Sequence, residues 1–365
     1  MNFYSLKVKE IVQETPDAVS IIFTIPDNLL ESFSFFPGQY VTVKATIDEK
    51  EVRRPYSINS IPGKDQLSIT VKKVDKGVMS HFLCTLNAGT HLEISNPEGH
   101  FTVKPSHDKS RAHYFFAAGS GITPIMSMIQ TILEEEPKSI CYLLYGNRNE
   151  PNIIFYDALN SLCRKYADQL FVTHTLSNPT KEKVHGLGGW LGKKETLWKG
   201  MTGRISDKNI ATFLEKNPTK YAEKLFYACG PGDMIQIVEK YLLAQNIETK
   251  NIHKEFFTPS NKGEIISTES VQEGQSNITV TLKGKEHQFD MPRKSIILDI
   301  LVDKKLDPPY SCTNGACSTC IAKVTSGEVK MDACFALEQD EIDAGFILTC
   351  QSHPVTEEVV LTYDV

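Results

Sequence analysis

Three closely spaced cysteines and one distant one constrain this chain more than any other feature. The run Cys312-Thr313-Asn314-Gly315-Ala316-Cys317-Ser318-Thr319-Cys320 has C-x4-C-x2-C spacing, and Cys350 follows in Leu348-Thr349-Cys350-Gln351. Three thiolates from one tight loop and a fourth from elsewhere form the donor set of a [2Fe–2S] cluster. Gly315, with small Ala316 and Ser318 beside it, lets the backbone approach closely and turn its N–H groups toward the sulfurs. A zinc site would favour two paired C-x2-C hooks. A disulfide framework suits small secreted chains rather than a cytosolic protein of 365 residues. The remaining five of the nine cysteines, at 84, 141, 163, 229 and 334, are scattered and read as buried thiols.

Upstream of this loop the pattern changes twice. Residues 1–107 hold short β-branched and aromatic runs between Pro and Gly breaks, as in Val19–Ile25, Tyr40–Ala45 and Leu67–Val74. This predicts an antiparallel β-barrel with one helix around Ser80–Leu86. Residues 108–258 alternate strand and helix, beginning with His113–Ala118 and the helix Pro124–Glu135, with Thr123 as N-cap. That alternation predicts an α/β domain with a parallel sheet. Residues 259–275 are rich in Ser, Gly, Glu and Gln and read as a linker, and 276–365 form a compact α+β unit carrying the cysteines.

Two strand ends in the first part carry flavin-like chemistry. Arg54-Pro55-Tyr56-Ser57 offers a cation for a pyrophosphate, a flat ring for an isoalloxazine and a hydroxyl for its reactive nitrogen. Val71, Lys72 and Val74 lead into Gly77-Val78-Met79-Ser80, a helix start whose free N–H groups suit a phosphate. In the second part, Gly119-Ser120-Gly121-Ile122-Thr123-Pro124 joins a buried strand to a helix, the context expected for a dinucleotide pyrophosphate. Its Pro124 departs from the usual last glycine. Cys229-Gly230-Pro231-Gly232 ends another strand on the edge where such sheets bind ligands. Arg148 follows the second strand of this domain, where an NADPH 2′-phosphate would be read, although a solvated loop arginine would look the same.

In these blocks the chain resembles the ferredoxin–NADP reductase superfamily fused to a plant-type ferredoxin, across essentially its whole length. The resemblance implies a β-grasp fold for the last domain, with Cys312, Cys317, Cys320 and Cys350 as cluster ligands. It implies that Arg54, Tyr56 and Ser57 contact FAD, that Thr123 and Cys229 flank the nicotinamide, and that Glu255-Phe256-Phe257 lies near the flavin's other face, with Phe257 or Phe256 as the aromatic. The implied catalytic residues are Ser57, Thr123 and Cys229. The implied cofactors are FAD, a [2Fe–2S] cluster and NADPH, with NADH as the alternative. A nicotinamide delivers two electrons together, whereas the cluster takes one, so a flavin is needed between them. The implied acceptor is an oxygenase, foremost a di-iron epoxidase or hydroxylase of aromatic CoA esters. A general reductase for a desaturase or a ring-hydroxylating oxygenase would carry the same motifs. An iron–sulfur redox sensor is the alternative of another kind, and turnover with an artificial acceptor separates it. The stretch 178–200 has no counterpart in this pattern.

Charge narrows the partners. The net charge is −6, and residues 276–365 carry 8 Lys and Arg against 14 Asp and Glu, so the whole excess lies in the cysteine domain. A basic patch on an acceptor would dock there. No basic stripe suggests nucleic acid. No apolar run approaches the ~20 residues of a membrane helix, and a cytoplasmic location is expected.

Overall fold

The computed structural model describes residues 1–64, 66–183, 194–258 and 273–365. The glycine-rich run 186–192 and linker residues 259–272 lie outside the described residues.

The first sheet comprises β1 (Phe3–Thr15), β2 (Ala18–Thr24), β3 (Tyr40–Ile47), β4 (Lys50–Ser57), β5 (Gln66–Lys72) and β6 (His91–Ser95), in the order β4-β3-β6-β1-β2-β5. All its pairs are antiparallel. A bridge from Ile58 to Ile69 joins the two outer strands and closes the barrel. Alternation turns Leu6, Val8, Ile21, Phe23, Val41 and Val43 inward. Helix α1 (Val78–Leu83) adds Met79 and Leu83 to that core and starts two residues earlier than its sequence suggests.

The strands of the second sheet are β7 (Ala112–Ala118), β8 (Ile140–Asn147), β9 (Leu170–Leu176), β12 (Met201–Thr202), β13 (Lys224–Pro231) and β14 (Ile252–Thr258). They are wholly parallel, in the order β12-β9-β8-β7-β13-β14. A separate small ladder pairs β10 (Lys181–Lys183) with β11 (Lys194–Thr196), inside the stretch that fitted no pattern. Helices α2 (Ile122–Glu135) and α3 (Tyr156–Lys165) cover one face; α4 (Asp207–Lys216) and α5 (Gly232–Ala244) cover the other. Phe101 and Val103 from the end of the barrel segment pack into the first of these cores. Thr123 is not the N-cap of α2. A 3-10 turn, Gly119–Gly121, precedes the helix, Gly121 takes the cap position, and the Thr123 hydroxyl donates to the Ser120 carbonyl at 3.0 Å. Pro124 still falls in the first turn, where a missing N–H costs nothing.

The last domain is built on β15 (Gln275–Leu282), β16 (Lys285–Pro292), β17 (Ile321–Ser326), β19 (Phe346–Leu348) and β21 (Glu358–Thr362), in the sheet order β16-β15-β21-β17-β19. Strands β15 and β21 are parallel and the others antiparallel. Helix α6 (Ile297–Asp303) packs on this sheet through Ile297 and Leu301. A short pair, β18 (Val329–Met331) with β20 (Ser352–Pro354), braces the cysteine loop. Helix α7 (Gln339–Asp343) opens on a capping box between Glu338 and Glu341.

Candidate active site

The cysteine loop folds so that its amides serve its sulfurs. The Cys312 sulfur accepts from the amides of Asn314 at 3.5 Å and Cys317 at 3.3 Å, and the Gly315 amide reaches the Cys350 sulfur. Gly315 has φ +75, and a Cβ there would lie 2.9 Å from the Ala333 carbonyl oxygen, so the turn requires glycine. The sulfurs run as a chain of neighbours: Cys317 beside Cys312, Cys312 beside Cys350, Cys350 beside Cys320. Four cysteine sulfurs brought together in this way are the donor set that two irons require. The donor set and the amides aimed at it therefore fit the cluster.

On β4 the two adjacent arginines part company. Arg53, Pro55 and Ser57 share one face, and Arg54 and Tyr56 the other. Arg53 is buried against the cysteine domain, whereas Arg54 is exposed and donates to the Arg53 carbonyl at 2.7 Å. Most of its guanidinium is left for an anion. Tyr56 leans on the barrel core beside Phe82 and Cys84. The Ser80 hydroxyl is already engaged: it accepts from the Val74 amide at 3.1 Å and donates to the Gly77 carbonyl at 3.0 Å. It fixes the turn, which leaves the first N–H groups of α1, on Val78 and Met79, to meet a phosphate. Val71 is a core residue of the barrel, and Lys72 pairs with Asp17 at 3.6 Å.

Two strand ends of the parallel sheet interlock. A Cβ on Gly121 would lie 2.1 Å from the Cys229 carbonyl oxygen, and one on Gly230 (φ +152) would lie 3.2 Å from the Ala118 backbone. Glycine at both positions lets the β7 and β13 turns touch, with Gly119 (φ +55) open above them. Arg148 stands exposed just past β8, on the same carboxyl edge.

These segments meet through Glu255, which the resemblance sets near the flavin together with Phe256 and Phe257. The register of β13 on β14 sets Cys229 opposite Glu255. The Cys229 thiol donates to Glu255 Oε2 at 3.9 Å, and Ser57 hydrogen-bonds the same carboxyl. Burial pushes the Glu255 carboxyl up to about 8, the two hydrogen bonds opposing the shift and the nearby Cys317 adding to it. Burial likewise pushes the Cys229 thiol up, with the Glu255 charge reinforcing the effect. In β3, Tyr40 lies opposite Ser57 and packs on Cys312 and Cys317. Ser57 of the barrel, Cys229 and Glu255 of the parallel sheet, and Cys317 of the last domain thus come together at one buried junction. Of the two aromatics after Glu255, Phe256 turns away to the Phe335 ring of the cysteine domain, at 5.5 Å. Phe257 packs against the core that contains Cys229.

Comparison with known proteins fits this arrangement. Family models match in three successive blocks: an oxidoreductase FAD-binding domain at residues 5–103, an oxidoreductase NAD-binding domain at 115–240, and a 2Fe-2S iron-sulfur cluster binding domain at 280–355. The chain is 34% identical to a subunit of 1,2-phenylacetyl-CoA epoxidase from Escherichia coli (strain K12), covering 99% of this chain and 98% of that one. It is 35% identical to the ferredoxin reductase component of 3-ketosteroid-9-alpha-monooxygenase of Mycolicibacterium smegmatis, covering 98% and 96%. Phthalate dioxygenase reductase has the same fold, with a TM-score of 0.60 at 22% identity over 99% of this chain and 98% of that one. With the three domains in one order and full-length relatives above 30% identity, the chain belongs to the family of oxidoreductases that join an FAD-binding barrel, an NAD-binding domain and a C-terminal [2Fe–2S] domain for electron transfer.

Proposed function

We propose that this chain is the reductase component of a multicomponent oxygenase, drawing electrons from NADPH and passing them singly to the oxygenase. The observation that carries the reading is the junction where Ser57, Cys229, Glu255 and Cys317, one or more from each domain, come together. When bound there, a flavin accepts a pair of electrons and releases them one at a time. Arg54 and the Val78 and Met79 amides hold the FAD pyrophosphate, Tyr56 lies along the ring, and Ser57 hydrogen-bonds its edge. Val74, Gly77 and Ser80 shape the adjoining wall, with Val71 behind it in the barrel core and Lys72 held by Asp17. Gly119, Gly121 and Thr123 with Cys229, Gly230 and Pro231 receive the nicotinamide half of the dinucleotide. Arg148 takes the 2′-phosphate, and Phe257, packed against the core that contains Cys229, shields the junction from water. Glu255, its carboxyl pushed up to about 8, holds a proton near neutral pH and hydrogen-bonds Ser57. Cys312, Cys317, Cys320 and Cys350 hold the cluster.

The oxygenase as acceptor is supported by the full-length likeness to a component of an epoxidase and to a monooxygenase reductase component. The epoxidase likeness favours an oxygenase of aromatic CoA esters. The similar identity to the ketosteroid component favours, as a second reading, a reductase for another oxygenase. Reconstitution with each class of oxygenase and NADPH decides between them: coupled product formation with the CoA ester supports the first, and product only with the steroid enzyme reverses the choice. The electron path is tested with Cys317→Ser. This variant should lose the iron–sulfur absorbance and cytochrome c reduction while its flavin is still bleached by NADPH. Full iron and sulfide content in the variant would remove Cys317 from the ligand set.

A further inference from the structure

We propose that Tyr40, a residue of the flavin barrel, is a positioning residue that tunes the reduction potential of the cluster by holding the Thr319 hydroxyl on the Cys317 sulfur. The inference rests on the cluster assignment above and concerns a residue outside the cluster's own domain. Tyr40 is buried, and its hydroxyl lies 2.8 Å from Thr319 Oγ1. Its ring packs on Cys312 and Cys317. The fit is close: a Cβ on Gly99 would stand 2.9 Å from the Tyr40 ring, and a backbone bridge from Tyr40 to Glu98 fixes β3 at this point.

Thr319 sits between the ligands Cys317 and Cys320, and its hydroxyl reaches the Cys317 sulfur. A hydroxyl has one proton to give. The competing acceptor, Glu98 Oε2, lies at 3.5 Å, the limit of a hydrogen bond. If Tyr40 donates to Thr319 Oγ1, the Thr319 proton is left for the sulfur. Hydrogen bonds to cluster sulfurs are one of the means by which a protein sets the potential, since they stabilise the added negative charge of the reduced state. The barrel therefore reaches across the domain seam and makes the cluster easier to reduce when it is docked beside the flavin.

The test is the midpoint potential of the cluster, read by spectroelectrochemistry on the full-length holoprotein, with iron and sulfide content as reference. Tyr40→Phe keeps the ring and removes the donor. It should shift the one-electron equilibrium against the reduced cluster by about threefold to tenfold, the worth of one hydrogen bond. Thr319→Val should shift it in the same direction, Thr319→Ser should restore it, and the Tyr40→Phe, Thr319→Val pair should shift it no further than Thr319→Val alone. An unchanged potential in Tyr40→Phe at full cluster content overturns the proposal. Equal potentials in Thr319→Ser and Thr319→Val overturn it too, and that comparison stands even if Tyr40→Phe fails to retain its cluster. A wild-type protein without a [2Fe–2S] spectrum would instead defeat the underlying assignment.

Discussion

At the residue scale, neighbours of the same type do different work. Arg53 and Arg54 are indistinguishable by composition, yet strand alternation sends one to the domain seam and the other to solvent. Arg53 ion-pairs with Glu51 at 2.8 Å and Asp307 at 3.2 Å and stacks on Tyr310 at 4.4 Å. Arg148 stands exposed on the carboxyl edge of the parallel sheet, where a 2′-phosphate can reach it. A charge-assisted hydrogen bond contributes roughly 1.5–3 kcal/mol. Arg148→Ala should therefore raise the Michaelis constant for NADPH by about ten- to a hundredfold and leave that for NADH nearly unchanged; steady-state kinetics with both nucleotides checks this. Glu255 gives a pH signature. Its folded value of about 8 lies above the ordinary 4.5, so the folded protein binds the extra proton. Stability from this group is fully present below 4.5 and is lost as pH rises toward 8. Glu255→Gln cannot ionise, and in flavin-stripped protein its melting temperature should gain on wild type between about pH 5 and pH 8. A constant difference across that range would show that the carboxyl titrates normally.

At the scale of elements, the two interlocked turns are the most restricted part of the α/β domain. A Cβ on Gly121 meets the Cys229 carbonyl carbon at 2.4 Å and oxygen at 2.1 Å, and both are backbone that cannot swing aside. Gly121→Ala should push the turns apart, weaken nucleotide binding at least tenfold by titration, and leave the iron–sulfur spectrum unchanged. The far end of the same sheet is pinned by charge. Arg111, just before β7, and His113 within it both bind Glu136, whose carboxyl is fully buried at the end of α2. Burial would raise Glu136, but hydrogen bonds from His113, Arg111 and Ser139 overturn that and hold it at about 2. Its contribution is present above pH 4.5 and lost as pH falls toward 2. Glu136→Ala strands a buried arginine and should cost about 3–5 kcal/mol in denaturant unfolding. The long strands and helices are legible in the sequence because their apolar period is strong: β2, β3, β5, β7 and α2 each lie within two residues of their expected bounds. The three-residue strands β18, β19 and β20 are not legible, since so short a segment shows no period. The cap of α2 differs from expectation because close approach of β13, a tertiary contact, selects glycine over a side-chain cap. The cysteine loop is legible from spacing alone, but the roles of Glu255 and Tyr40 are not. They depend on strand register and on a contact across 279 residues.

At the scale of the whole molecule, the charge excess of the cysteine domain invites a docking role, and the structure sorts which acids are free for it. Glu338 is not free: it pairs with Lys254 of β14 at 3.8 Å, next to the Phe256–Phe335 ring contact. Asp307 is held by Arg53 and Lys283. Glu341 accepts from the Glu338 amide at 2.9 Å and so keeps α7 folded. These acids hold the domain to its neighbours or cap its helix. Asp340 and Asp343 remain on α7 without an ion pair among the described residues, although Asp340 accepts from the Glu341 amide at 3.1 Å and Asp343 from the Gln339 side chain at 2.8 Å; α7 packs beside β19 near Cys334 and Leu337. Steering by such charges acts mainly on the association rate and is screened by salt. The Debye length falls from ~30 Å at 0.01 M to ~10 Å at 0.1 M. Electron delivery to an oxygenase acceptor, at limiting acceptor, should therefore slow steeply across that range. In the proposed function, reduction of the flavin by nicotinamide uses another surface, and it should respond differently. Charge reversal at Asp340 and Asp343 should flatten the salt dependence and leave the cluster intact. Reversal at Glu341 is a poor test, because it would also unwind the helix. A delivery rate indifferent to salt in the wild type would mean that the acceptor docks on apolar surface and that α7 is only a solvated edge.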